Sequence, residues 1–299
     1  MNQFQKTVKY LAMAFAIFLT CTIIYMIIST IGFTVNIFNF GGNWIRTSKD
    51  NKNTVSGESF TATYDDIEKI YIDHGVGKLT IRPGDTDDVS VYISDLENYY
   101  KVTNTKKTLK VENKFNIDNF FNFGFRERSS HQVEVIINLP EDYGLRDLEI
   151  QAGAGEIILE DFVTENLSIK AGAGAISVKK VVADHTDIGG GVGELRFEDV
   201  EFNRGDISTG VGRFIFSGKL KGQHIIKAGV GEINLDIQGK LEDYDLSINK
   251  GLGEIRVNGK GYKDVNFSQS QTDNSLDISG GVGSININFT EWQQGFNML

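Results

Sequence analysis

Cysteine is almost missing from this chain: among 299 residues there is one, Cys21. A lone cysteine excludes an intramolecular disulfide, so any folded domain must be held by its core. Charge is missing from one long stretch. From Tyr10 to Phe33 the sequence has no Asp, Glu, Lys, Arg, Asn, Gln or Pro in 24 residues. At about 1.5 Å per residue that run spans the roughly 30 Å hydrocarbon core of a bilayer, so it reads as a transmembrane helix. It is too long for the apolar stretch of a cleaved signal peptide, typically about 7 to 15 residues, and no small-residue cleavage site follows Met26. Phe18-Leu19-Thr20 before Cys21 is a poor lipoprotein box.

Basic excess is missing too. Residues 1 to 46 carry three basic and no acidic groups, which leaves 27 basic against 40 acidic from Thr47 onward, a net of −13. Nucleic acid and anionic membrane faces both call for basic patches, so neither is an expected partner of the outer domain. Lys6 and Lys9 before the apolar run compete with Arg46, Lys49 and Lys52 after it, so charge counting leaves orientation open. A short basic N-terminus before a long apolar run resembles an uncleaved signal anchor. That gives a single-pass cell-membrane protein whose C-terminal part is extracytoplasmic and whose residues 10–33 meet the lipid bilayer. Residues 1–9 form a short tail and 34–59 a juxtamembrane linker, with Phe38, Phe40 and Trp44 as interfacial anchors; the folded domain is expected over 60–299.

What the chain has in abundance is glycine, 33 residues, and most of it is patterned. Eight times the sequence writes Gly, a small or aliphatic residue, Gly, one variable residue, then an apolar one. The copies begin at Gly75, Gly153, Gly172, Gly191, Gly210, Gly229, Gly251 and Gly281, and the five from Gly153 to Gly229 are spaced by 19 residues. A fixed period near 20 marks a repeat architecture in which each unit buries its apolar face only by stacking on its neighbours. Three residues before the first glycine stands an isoleucine in every copy, Ile72, Ile150, Ile169, Ile188, Ile207, Ile226, Ile248 and Ile278. The residues one, four and six after it are apolar throughout. Alternation places −3, −1 and +1 on one face of a strand and gives +4 and +6 the opposite parity, so a corner at the second glycine must reset the inward direction.

The expected fold is therefore all-β: a parallel β-solenoid of ~19-residue coils, preceded by one transmembrane helix. Each coil holds two short strands meeting at the Gly-x-Gly corner, with about nine residues returning to the next turn. Alternating runs between Phe60 and Leu139, such as Val89–Ile93 and Val133–Leu139, read as strands before the main array. The longer spacings after Gly229 and Gly251 predict longer outward loops. Ile285–Phe289, followed by Trp292 and Phe296, reads as the last strand with an aromatic cap.

No residue stands out as catalytic, cofactor-binding or metal-ligating. Gly191-Val-Gly193 lacks the third glycine and the following helix of a dinucleotide fingerprint. The residue after each Gly-x-Gly is not the aspartate of a calcium-binding β-roll. Glu194, Arg213 and Glu232 fall on consecutive turns as an alternating-charge ladder on a solvated face. Asp187 and Asp206 stack as like charges, a weak cation site at most. Asp184, Glu198, Asp199 and Glu201 are the carboxylates that a carbohydrate-cleaving groove would use, but they lack repeated geometry. His74, His131, His185 and His224 are dispersed and read as structural or surface residues. Five phenylalanines between Phe115 and Phe125 read either as a loop covering a solenoid edge or as a patch for membrane contact or self-association.

At Ile81-Arg-Pro-Gly-Asp85, at Ile137-Asn-Leu-Pro-Glu141 followed by Leu148-Glu-Ile150, and at the Gly-x-Gly-x-Ile series, the chain resembles the bacterial putative-adhesin family, a domain of unknown function in cell-envelope proteins. The resemblance spans residues 60 to 290. It implies a β-solenoid-like fold, a membrane or surface location and, for some relatives, a link to envelope stress; it brings no catalytic residues. The expectation is a non-enzymatic, membrane-anchored interaction module whose partners are envelope proteins or cell-wall polymer. A cell-wall carbohydrate-active enzyme and a self-assembling envelope scaffold are the alternatives.

Overall fold

A computed structural model describes residues 59–94, 100–114, 133–268 and 272–290. The expected transmembrane helix at 10–33, nearly all of the linker, the phenylalanine-rich 115–125 segment, His131, and the capping Trp292 and Phe296 lie outside the described residues. Everything below concerns the unit Val55–Leu299.

The described chain is all-β apart from one short 3₁₀ turn, Leu241–Asp243. Its strands are β1 (Phe60–Tyr64), β2 (Lys69–Pro83), β3 (Val89–Ile93), β4 (Tyr100–Thr105), β5 (Thr108–Asn113), β6 (Val133–Leu139), β7 (Gly144–Phe202), β8 (Gly205–Leu220), β9 (Gln223–Gln238), β10 (Tyr244–Val257), β11 (Lys260–Tyr262), β12 (Val265–Phe267) and β13 (Asn274–Thr290). They form one open sheet, ordered β1-β3-β6-β2-β7-β8-β9-β13-β10-β11, with the remaining strands paired beside that path. β7 winds through three successive coils without a break. Parallel pairing at the repeat offset, as in Ile188↔Ile207 and Gly193↔Gly212, stacks each coil on the last in a solenoid-like array.

The isoleucine column is the spine of the core. All eight of its members are 0–1% exposed, and the +4 and +6 columns are no more than 3% exposed. Each such side chain contributes roughly 1.5–3 kcal/mol on burial. The return segment is more than a connector. Asp161, Lys180 and Asp199 share one column eight residues after the first glycine and turn the chain with φ of 52–56°. Beyond them Phe162, Val181 and Val200 point inward, followed by Thr164, Ala183 and Phe202. The three coils of β7 thus have a third packed side where two had been expected. Phe197, Phe202, Phe214 and Phe216 fill the middle of the array edge to face, with centroids 5.5–6.4 Å apart.

The corner carries both glycine rows for steric reasons. A Cβ on Gly191 would lie 2.1 Å from the carbonyl oxygen of Gly172, and one on Gly193 would lie 1.7 Å from that of Gly174. Gly193 also sits at φ 142°, a region that L side chains rarely adopt. The corner at the second glycine is as expected, but the inward direction is lost one step sooner. The −1 column still faces in, whereas the +1 column faces solvent: Val76, Val192, Val211, Val230, Val282 and Leu252 are 48–72% exposed. Simple alternation across −1 and +1 fails because the chain has already begun to turn at the first glycine.

Stack order departs from sequence order at one end. β13 pairs in parallel with β9 through Ile278↔Ile226 and with β10 through Ile248↔Ile278. The Gly281 coil therefore lies between the Gly229 and Gly251 coils, and Ile285–Phe289 is an inner rung instead of the last strand. The residues between Gly251 and Gly281 do not form a free outward loop. β11 and β12 fold back antiparallel on β10, covering its second and first halves. Such a rung could not be interior, because one edge is already occupied; β13, with both edges free, takes the inner place. At the other end β5 and β6 lie parallel on the two halves of β2, and β4 and β3 pair antiparallel on them.

Candidate interaction surface

Three outward columns meet the Gly-x-Gly corner, and each follows from the coil geometry. On the far side of the second glycine the +3 column runs in stack order Lys78, Glu156, Ala175, Glu194, Arg213, Glu232, Ser284, Glu254. Arg213 lies 3.4 Å from Glu194 and 3.6 Å from Glu232, and Lys78 lies 3.4 Å from Glu156. The expected charge ladder is thus formed. Arg196 braces it from two residues along, donating to Glu194 at 2.8 and 3.0 Å, which raises the Arg196 pKa. These groups are half exposed, and pairs of this kind contribute about 0.2–1 kcal/mol each, enough to favour register but not to hold the fold.

Before the first glycine lies a shallow open groove of about 680 Å³, walled by Asp73, Gln151, Lys170, Asp187 and Ser208, with Ala152, Ala171 and Gly172 as its floor. Burial, reinforced by Glu112, raises the Asp73 carboxyl pKa above its usual value. Asp187 stacks in register with Asp206, but Lys170 reaches Asp187 at 3.2 Å and supplies the compensating charge. The groove presents hydrogen-bonding groups of both signs; no nucleophile and base are paired in it.

The four carboxylates considered for a cleaving groove stay apart in role. Asp184 accepts from Asn203 at 2.6 Å, Glu198 accepts from Arg196 at 3.5 Å, and Glu201 is held by Lys219 at 3.3 Å and by Lys221. Asp199 occupies the left-handed corner, which tolerates Asp well. Among the described residues no three His, Cys, Asp or Glu side chains are placed to hold a metal ion. His185 is exposed. His74 is 1% exposed and lies 2.6 Å from the Tyr100 hydroxyl, and burial lowers its pKa while raising that of Tyr100. His224 is also buried, and its Nε2 reaches the carbonyls of Lys221 at 2.9 Å and Phe202 at 3.2 Å.

Between the two polar columns runs an apolar strip that sequence reasoning assigned to the core. In stack order it reads Val76, Ala154, Ala173, Val192, Val211, Val230, Val282, Leu252. Beside it lies the row of first glycines, most of them exposed, so the strip is a ridge bordered by bare backbone. The displaced β13 matters here: it completes four valines in succession and leaves Leu252 at the end. Eight rungs at about 4.8 Å make a ridge roughly 34 Å long. The sequence did hold a signal, since the outward column is apolar in all eight copies while the −1 column admits His74, Thr209 and Lys250.

A family model described as Toastrack DUF4097 matches residues 67–294. No functionally curated protein matches the chain. Among solved structures, a putative cell adhesion protein from Clostridium sporogenes is similar at 20% identity, covering 78% of this chain and 99% of that one with a TM-score of 0.39. A putative adhesin from Bacteroides fragilis is 15% identical over 78% and 98% of the two chains, with a TM-score of 0.42. A putative lipid binding protein from Parabacteroides distasonis is 14% identical over 79% and 97%, with a TM-score of 0.36.

Proposed function

The chain belongs to the Toastrack DUF4097 family, and we propose that it is a membrane-anchored, non-enzymatic interaction module of the bacterial cell envelope, serving adhesion or the envelope stress response. The observation that carries this reading is the exposed apolar ridge on a rigid ladder, flanked by ordered polar columns. A surface of this kind holds partners by contact area and charge pattern and needs no reacting group. The anchor is the uncharged run from Tyr10 to Phe33, and the 34–59 linker lets the acidic domain stand off the bilayer.

The test pairs location with capture. Protease added to intact cells is expected to remove the 60–299 domain while a fragment containing 10–33 stays in the membrane fraction. Capture from intact envelope with the wild-type chain is expected to retain partners that Val211→Asp releases. Protection of the domain from external protease would overturn the orientation; unchanged capture by Val211→Asp would overturn the role of the ridge.

A further inference from the structure

We propose that the ridge is the contact between two copies of this chain, packed side by side with their stacks parallel and a two-fold axis along the stack. The reading deepens the interaction role by naming a partner. It starts from the asymmetry of the corner. Laterally, the first-glycine row comes before the ridge and the ladder column comes after it. A two-fold axis along the stack reverses that lateral order in the second copy. Each valine ridge then lies over the other copy's bare glycine row, side chain into shelf, at the same rung height. The spacing matches rung for rung because both surfaces have the same period.

The flanking charges agree with this arrangement. The same axis sets each +3 residue opposite the −2 residue of the same coil in the second copy. Lys78 then faces Asp73 and Glu232 faces Lys227, and no coil opposes like charges. An antiparallel pair centred on the stack does worse on both counts. It sets ridge on ridge, leaves both glycine shelves empty, and brings Lys170 opposite Lys227 of the second copy.

The contact is small. A strip about 34 Å long and about 12 Å wide buries roughly 400 Å² per copy, about half of the ~800 Å² per partner typical of a free-standing interface. Dimers are therefore expected where anchoring raises the effective concentration, with dissociation on dilution of the free chain. Parallel stacks also suit two chains anchored in one membrane, since the axis sets both copies of β1, the first described strand, at the same end of the pair.

Single cysteines decide the geometry, because Cys21 is the only native one. In full-length chains carrying Cys21→Ser and reconstituted in phosphatidylcholine vesicles, Val192→Cys and Leu252→Cys are each expected to form a disulfide-linked dimer under a mild oxidant. These sites lie four rungs apart on the ridge, about 19 Å, so an antiparallel pair can self-link at no more than one of them, and that result overturns the parallel arrangement. No crosslinking at either site overturns the dimer. Val211→Asp added to Val192→Cys is expected to cut crosslinking about tenfold or more, whereas Ile225→Asp, an exposed position off the ridge, leaves it unchanged. Equal loss from both would assign the effect to the fold and overturn the ridge contact. A chain that fails to enter vesicles would overturn the anchor instead, and crosslinking at raised concentration in solution would still decide the dimer.

Discussion

At the scale of single residues, the fold turns on atoms that are absent. Gly193→Ala would place a methyl group 1.7 Å from a backbone oxygen at a positive φ, so the coil must open or the backbone must shift. The expected loss is about 2–4 kcal/mol in urea unfolding, whereas Gly261→Ala, with no atom within 4 Å of the new Cβ, should stay within about 0.5 kcal/mol. His224 is the second sensitive residue. It stands in an inward column that also holds Ile70, Leu148, Leu167, Thr186, Gly205, Leu276 and Leu246, with Gly205 and Leu276 as its direct neighbours, and its Nδ1 has no hydrogen-bond partner among the described residues. Burial lowers its pKa below the ordinary value of 6.5, against smaller opposing effects from two carbonyls and Asp206. The unfolded chain therefore binds the proton more readily, and stability falls as pH drops below about 6.5 toward the folded value. His224→Leu is expected to flatten that part of the slope, read from unfolding midpoints at about pH 7.5 and 5.5; an unchanged slope would remove His224 as its source.

At the scale of elements, the sequence was most legible where a side chain has one possible neighbour. The isoleucine column predicted the core because parallel stacking sets like upon like, as in Ile188 on Ile207. The exposed ridge was hidden because a corner breaks the alternation by which inward and outward are read; Val211 and Ile207 are equally apolar, and only backbone direction separates them. The third side of the coil was hidden for a related reason, since Phe162 and Thr164 offer too short a pattern between turns. Nothing in the spacing of Gly251 and Gly281 announces that their coils exchange places, because the repeats there are interchangeable in composition. That exchange makes β13 the only parallel neighbour of β10 among the described residues. A chain ending at Asp273 is accordingly expected to lose amide-exchange protection throughout β10, β11 and β12 while β7 and β8 keep theirs; retained protection in β10 would show that it can dock on β9 directly.

At the scale of the whole molecule, both ends of the stack are covered by antiparallel strands, β11 and β12 at one end and β1, β3 and β4 at the other. Growth end to end, which a self-assembling scaffold would need, meets short antiparallel strands in place of a bare parallel rung. Sedimentation of the soluble domain is therefore expected to show nothing larger than a dimer up to roughly 100 μM, weak association being all that the ridge area supports; a ladder of higher species would restore the scaffold reading. The inner position of β13 also sets a timetable. Coils up to β9 can form as they emerge, but β10 meets its parallel neighbour in the finished structure only when β13 arrives some 30 residues later. At about 5–20 residues per second, β10 and its covering strands lack that neighbour for a few seconds. Completion of the array thus works as proofreading: a polypeptide cut short before β13 leaves an unpaired, protease-sensitive tail, and only a chain synthesised through Thr290 can close its own last gap.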